Sequence, residues 1–391
     1  MANLKERFAQ AQKRREGKRI STVTVKIAKD HLSKEQKAHL DGLFLEAKWL
    51  YNFIFADIAC RLNNKTWKVK QVEVKVKDTF EQRKITRLSF QMRQGLVNRI
   101  RNNLKGLKAL RQNGTKTGRL RFKSEVFFLF PCPKMGTLSR IVSLRRVKIQ
   151  GFKKPFYVRG LEHIPEGAEI TSGYLIKRPS GYYIVLYYWR ENKAKHPKVG
   201  SEIGLDFGVK HQVVLSNGLA IDFEQAETKR LKRLQRSLSR KVKGSNNWRR
   251  TLHKLRREHE YVTNIRRDAQ KKVLSYLWRF GVICYQKDNI KGWKRLCGKK
   301  VHHSGIGRIK SALNDAETAV SVDAFCPTTQ TCSACGYVLP EDQRLGLADR
   351  VFICPNCGLV EDRDLNAARS ILNYGLATLN RSPCGGHGVT L

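Results

Sequence analysis

Acidic residues are scarce in this chain. It carries 33 Asp+Glu against 77 Lys+Arg, a formal net charge of +44 over 391 residues. That is about one uncompensated positive charge every nine residues, a surface that repels itself unless polyanions lie close. No Asp or Glu occurs between residues 126 and 160, and none over 228–257, where thirteen Lys/Arg fall. Long apolar runs are missing too. Nothing approaches the roughly eighteen apolar residues of a membrane span, and no apolar stretch follows a basic start as in a secretory signal. The expected location is therefore the cytoplasm, in association with the nucleoid, with no membrane partner. Nucleic acid is the remaining default polyanion. Hydrophobic residues make up 41%, enough for packed cores and too many for a disordered basic tail. The length suggests two to three domains.

Coarse patterning separates two halves. Residues 1–20 are basic and polar and are expected to lack order without a partner. Val23, Val25 and Ile27 alternate at strand period. Ser33 and Gln36 form a capping-box signature, followed by Leu40, Leu43, Ala47, Leu50 and Ile54 at helical spacing. Met92, Leu96, Ile100, Leu104 and Leu107 mark a second helix, and the basic stretch 62–86 between them is irregular or helical. Strand patterns follow at 119–123, 126–130, 141–149, 155–158 and 182–189. The acid-free part of this β-rich region suits a nucleic-acid platform, since phosphates select against carboxylates on a contact face. Residues 191–200 read as a linker.

Beyond it, 201–222 read as a hairpin with a turn at Asn217-Gly218. Residues 228–277 read as a helical pair broken at 244–247, with a cationic face suited to phosphates. A strand at 282–285, a helix at 304–316, a strand at 319–325 and a helix from Asn366 to about Asn373 complete the pattern. The Gly-rich end, 383–391, is expected to fray. His302-His303 falls on a basic loop, and Trp293 packs against the loop after the 282–285 strand.

Ten cysteines in a chain expected in a reducing compartment are thiols or metal ligands. Cys332 and Cys335 are followed, after eighteen residues, by Cys354 and Cys357. Two such knuckles place four thiolates around a tetrahedral Zn²⁺, a closed structural site rather than a catalytic one. Gly336 and Gly358 each follow the second Cys of a knuckle, where a tight turn favours Gly. The pattern predicts a zinc ribbon.

A second constellation is acidic and dispersed. On its strand, Asp206 shares a face with Gly204 and Gly208, which leave room beside the carboxylate. Asp362 and Asp364 open the last helix. Singly, each carboxylate reads as a turn residue or helix cap. Together, in a chain starved of acid, they suit a Mg²⁺ cage for phosphodiester cleavage.

Gly204-Leu205-Asp206-Phe207-Gly208-Val209, the run 233–245, Asn289-Ile290-Lys291-Gly292-Trp293, the double CxxC and Asp362-Arg363-Asp364-Leu365-Asn366-Ala367-Ala368 occur in this order. Together they resemble the TnpB family, transposon-encoded RNA-guided nucleases related to miniature type V CRISPR effectors. The resemblance covers most of 200–375. It is looser earlier, where the 118–124 segment and Trp49-Leu50-Tyr51-Asn52 match.

The resemblance implies a multidomain α/β protein. A wedge β-barrel would occupy 1–30 and 118–195, with a helical recognition segment inserted at 31–117. A RuvC nuclease domain of RNase H-like fold would occupy 201–325 and 361–382, with the zinc ribbon inserted at 326–360 and touching target nucleic acid. The partners implied are a guide RNA and target double-stranded DNA, with one or two copies of the chain on one RNA, and the cofactors are structural Zn²⁺ and catalytic Mg²⁺. Base pairing would read most of the target and the protein a short flanking motif. Asp206 matches the first RuvC carboxylate and Asp364 the last.

The chain departs from the family at the middle carboxylate, where Gln286 stands in place of Glu. An amide oxygen can touch a metal but brings no charge. Asp288, two residues on, faces the same side at strand period and becomes the candidate third ligand. Two readings follow: a guided DNA endonuclease using Asp206, Asp288 and Asp364 with two metals, or a nuclease-deficient guided DNA binder acting as a repressor. A strand transferase ranks third, because no Tyr or Ser nucleophile stands in a recognisable context.

Overall fold

The computed structural model describes residues 4–63, 65–76, 79–132, 139–191, 200–346 and 348–380. The expected linker, apart from its two end residues, and the expected Gly-rich end lie outside them. The chain divides into two compact units, Met1–Lys193 and Ala194–Leu391. Among the described residues, no helix is long and apolar enough to cross a membrane.

In the first unit the strand Lys18–Ile27 alternates as its sequence suggests, burying Val23, Val25 and Ile27. It pairs antiparallel with Gly181–Glu191 from Lys18↔Glu191 to Lys26↔Tyr183, and at its end with Phe156–Arg159. The seven-stranded sheet runs in the order Phe128–Cys132, Glu169–Arg178, Gly181–Glu191, Lys18–Ile27, Phe156–Arg159, Arg146–Lys148, Arg140–Ser143. Among the described residues no pairing joins its two edge strands, so strand pairing does not close the expected barrel.

The helix Lys34–Ala56 opens on a complete capping box. Ser33 Oγ accepts from the Gln36 N–H at 3.1 Å, and Gln36 Oε1 accepts from the Ser33 N–H at 3.2 Å. Its stripe of Leu40, Leu43, Ala47, Leu50 and Ile54 is fully buried with Met92, Leu96 and Ile100 of Phe90–Gln112 and with the sheet. Each such Leu or Ile contributes roughly 1.5–3 kcal/mol.

Three expectations for this unit change. Residues 62–86 contain an antiparallel pair, Gln71–Val76 and Thr79–Lys84; Val72, Val74 and Val76 alternate, with Val72 buried. The 119–123 pattern forms no strand; Leu120 packs against the core and Phe122 lies edge-on against Phe55. The basic N-terminus is helical over Leu4–Arg15, where Arg15 pairs with Glu169 at 2.6 Å and lies over the Trp189 ring.

The second unit is built on a five-stranded sheet in the order Ala220–Ile221, Val213–Leu215, Gly200–Asp206, Phe280–Gln286, Ala319–Val322. The first three strands are antiparallel, and the last two run parallel to Gly200–Asp206. One face, with Ile203, Leu205 and Ile283, packs on Leu277 of Asn246–Leu277 and on Ile306, Ile309 and Leu313 of Ile306–Asn314. The other, with Cys284 and Val322, packs on Ile371 and Leu372 of the last helix, Arg363–Asn380.

The helical pair is Lys229–Ser239 and Asn246–Leu277, separated at Gly244, whose φ of 89° suits glycine. The strand expected at 319–325 ends at Val322 and the helix expected at 304–316 runs over Ile306–Asn314, and two larger differences stand out. The last helix begins at Arg363 and runs to Asn380. A helix at Ile290–Ser304 places His302 and His303 in its final turn, not on a loop. That helix contains Gly292 and Gly298 and breaks at Cys297 (φ −124°, ψ 39°), which is why its pattern does not show in the sequence.

Candidate metal and carboxylate site

The cysteine module forms from its knuckles upward. Gly336 and Gly358 have φ of 76° and 74°, the left-handed turn that lets each chain double back. The Gly336 N–H donates to Cys332 O at 2.9 Å and the Gly358 N–H to Cys354 O at 3.0 Å. The four sulfurs of Cys332, Cys335, Cys354 and Cys357 all lie within 4.8 Å of one another, with two pairs at 3.6 Å. Tetrahedral Zn–S bonds of about 2.3 Å require sulfur separations of about 3.8 Å, so the four cysteines can hold a zinc ion. The Asn356 amide reaches the Cys335 sulfur and holds that thiol below its ordinary value. Phe352 and Leu339 fill the small core behind the cluster.

Glycine also decides how the last helix meets the sheet. A Cβ at Gly204 would fall 2.0 Å from Ala368 O and 2.8 Å from Leu372 Cβ. A Cβ at Gly375 would strike the Cys284 sulfur. The helix therefore lies directly on two neighbouring strands. Asp206 is two residues beyond Gly204, about 6.6 Å along a strand. Asp364 is four residues before Ala368, about 6 Å along a helix. The two offsets match, which puts both carboxylates on the same side of this contact; burial and the Asp364 charge push Asp206 up to about 7, against the opposing pull of Lys310 and Arg363. Arg363 donates to Asp364 Oδ1 from two nitrogens, at 3.2 and 3.0 Å. Asp362 Oδ1 accepts from the Asp364 and Leu365 N–H groups at 2.9 and 3.1 Å, which makes it a cap for the first turn.

Asp288 has a different partner. Its carboxylate is paired with the ammonium of Lys310, which also donates to Gln286 O at 2.8 Å. Lys310 is 8% exposed and sits 4.8 Å from the Phe207 ring and 5.7 Å from the Trp293 ring. Burial lowers its pKa to about 7, opposed by the Asp206 charge. Among the described residues, the four cysteines are the one group of three or more ligating side chains gathered within 4.8 Å. Asp206, Asp288 and Asp364 are not drawn together to that degree.

Gln286 shares the sheet face of Asp206, but its amide is engaged. Nε2 donates to the carbonyls of Asp323, Ala324 and Cys326 at 3.0, 3.4 and 2.8 Å, and Oε1 accepts from Thr328 Oγ1 at 2.8 Å. It latches the segment that leads into the cysteine module. Asn366, fully buried, ties the module to the last helix: Nδ2 donates to Thr331 O at 2.8 Å and Oδ1 accepts from the Ser333 N–H at 2.9 Å. Ser370 Oγ and Asn373 Nδ2 donate to Thr331 O and Ser333 O at 2.9 and 2.8 Å.

Sequence reasoning missed Lys310, Arg363 and this amide set. Asn366, Ser370 and Asn373 recur at helical spacing, a signal that was present. Away from the carboxylates, Lys229, Lys232, Arg233, Arg236, Arg240 and Lys241 line one groove along Lys229–Ser239. Trp293 packs partly buried against the sheet core, as expected.

Comparison with known proteins places these features. Residues 309–371 match the family model "Cas12f1-like, TNB domain", and residues 185–280 match OrfB_IS605, "Probable transposase". A Streptomyces pristinaespiralis protein named "Putative RNA-guided DNA endonuclease" is 30% identical over 244 residues, 59% of this chain and 59% of that protein. "Putative RNA-guided DNA endonuclease InsQ" of Escherichia coli (strain K12) is 34% identical over 209 residues, 47% of this chain and 51% of that one. The chain thus spans between half and three fifths of the length of these relatives. Among solved structures, "Cryo-EM structure of the Cas12f1-sgRNA-target DNA complex" aligns with a TM-score of 0.47 at 13% identity, covering 87% of this chain and 83% of that one. These matches are to transposon-associated proteins and to proteins named as RNA-guided DNA endonucleases. They support the resemblance to the TnpB family.

Proposed function

We propose that the chain is an RNA-guided DNA endonuclease of the TnpB type. The observation that carries the reading is the apposition of Asp206 and Asp364, set by the Gly204–Ala368 contact at the carboxyl ends of parallel strands, where open α/β sheets bind ligands. In this reading the second unit is the RuvC nuclease domain with its inserted zinc ribbon. The first unit supplies the wedge and recognition segments at the boundaries expected from the sequence. The names of the relatives support guide RNA and target DNA as partners.

The residues fit a divalent cation at Asp206 and Asp364, because two carboxylates crowd together there and burial makes their shared charge costly. Asp206 and Asp364 would hold a Mg²⁺, which would supply Lewis-acid chemistry at a scissile phosphate; Arg363 fixes the Asp364 carboxylate, and the Asp362 cap fixes the first turn that carries it. Hydrolysis with two metals, and Asp288 as third ligand, require the Asp288 carboxylate to part from Lys310. The groove lined by Lys229–Lys241 residues neutralises phosphates of the bound nucleic acid.

Purified ribonucleoprotein, given a labelled matching target and Mg²⁺, is expected to cut it, and Asp206→Asn to lose cutting while keeping binding. Intact binding with no Mg²⁺-dependent product in the unmodified protein would overturn the enzymatic reading. It would favour the nuclease-deficient binder, which the engaged Gln286 amide and the Asp288–Lys310 pair support.

A further inference from the structure

We propose that Lys310 is the resident cation of the carboxylate site: its ammonium occupies Asp288, so that the site takes one divalent ion at rest and a second only when Lys310 withdraws. This rests on the nuclease reading of Asp206 and Asp364 and concerns a residue to which that reading gives no part.

Lys310 is held from three directions. Its helix, Ile306–Asn314, is anchored in the core by Ile306, Ile309 and Leu313, so the side chain leaves from a fixed point. Its ammonium lies 4.8 Å from the Phe207 ring and 5.7 Å from the Trp293 ring. Its ammonium donates to the Gln286 carbonyl at 2.8 Å and to the Asp288 carboxylate. Among the described residues, Lys310, 8% exposed, is the one buried Lys or Arg. Buried charges persist when they are paired. Here the pair is made at the carboxyl end of the strand next to Asp206, and the Lys310 charge is felt by Asp206 itself.

The consequence is a division of the three carboxylates. Asp364 is fixed by Arg363 through Oδ1, among the described residues no hydrogen bond engages its other oxygen, and with Asp206 it forms a place for one cation. Asp288 already has its cation. Gln286, the other group on that side, has both ends of its amide committed to residues 323–328. The donor set therefore fits one divalent ion and does not fit two while Lys310 stays. A second ion would have to displace an ammonium carrying half its charge from a partly buried carboxylate.

Manganese binding to the full-length, zinc-loaded protein without nucleic acid tests this, by counting bound Mn²⁺ with electron paramagnetic resonance. One ion is expected for the unmodified protein, one for Lys310→Arg, and two for Lys310→Met. Asp288→Asn is expected to leave the count at one, and it decides the question if the methionine variant does not fold. Two ions of comparable affinity in the unmodified protein, no gain in Lys310→Met, or loss of the single ion in Asp288→Asn would each overturn the proposal. Asp206→Asn separates this from the underlying reading. If that variant keeps the ion, the Asp206–Asp364 site fails; if it loses the ion while Lys310→Met gains none, only the part given to Lys310 fails.

Discussion

Replacing Gly204 by Ala perturbs the site without touching any charge. The new Cβ would sit 2.0 Å from Ala368 O, 2.8 Å from Leu372 Cβ and 3.0 Å from Leu372 N. Two of these three are backbone atoms of a helix, which no rotamer change can move. Ordinary contact begins at 3.4 Å, so the helix must retreat by about 1.4 Å (3.4 − 2.0). Overpacking of this kind costs about 1–3 kcal/mol. Asp364 lies on the same helix and retreats with it, and a misplacement of about 1 Å in a reacting constellation costs on the order of 10²-fold in rate. Two assays follow: the unfolding midpoint of the second unit by calorimetry, and single-turnover cleavage by the ribonucleoprotein. Gly204→Ala is expected to lower the first and to slow the second about a hundredfold. Gly106→Ala, with nothing within 4 Å on the helix Phe90–Gln112, is the control, expected to stabilise by up to about 1 kcal/mol. An unchanged midpoint and rate in Gly204→Ala would refute the claim that this contact sets the distance between the carboxylates.

Gln286→Glu removes the donor that serves three carbonyls. Unfolding stability should fall by about 1–3 kcal/mol and cutting should not rise; a large gain in cutting would show that the amide's latch is dispensable. Asn366→Ala removes one of the two donors to Thr331 O and leaves the part-buried Ser333 N–H without its acceptor, and should cost about 1–3 kcal/mol, read by calorimetry on the zinc-loaded chain. Chelation of zinc should expose the Cys332, Cys335, Cys354 and Cys357 thiols to a thiol reagent and lower the melting temperature of the same unit. Changing Lys232, Arg236 and Arg240 to Gln should reduce the slope of log K against log salt for nucleic-acid binding by about 2–3, at roughly 0.9 per phosphate contact.

Much of this was legible because the sequence pattern and the physics coincide. The paired CxxC knuckles need only local turns, and the alternation at Val23, Val25 and Ile27 is that of a strand with one wet face. Asp206 and Asp364 could be paired on chemical grounds, since a chain so poor in acid places few carboxylates at element ends. What escaped notice depends on long-range contacts or on backbone atoms. Lys310 is one lysine among many until the fold buries it. Gln286 reads as a lost ligand, because its partners are carbonyls that any residue offers. The helix at Ile290–Ser304 carries two glycines and a kink, and the pair at 71–84 buries only Val72 deeply, so neither gives a clean period.

The helix Arg363–Asn380 is engaged on two sides. It meets the sheet through bare backbone at Gly204 and Gly375, and holds the cysteine knuckle through Asn366, Ser370 and Asn373. A graft that imports a foreign cysteine module must therefore bring those three helix residues with it. A graft that respects only the module's visible ends would fold its knuckles and still leave Asp364 out of register.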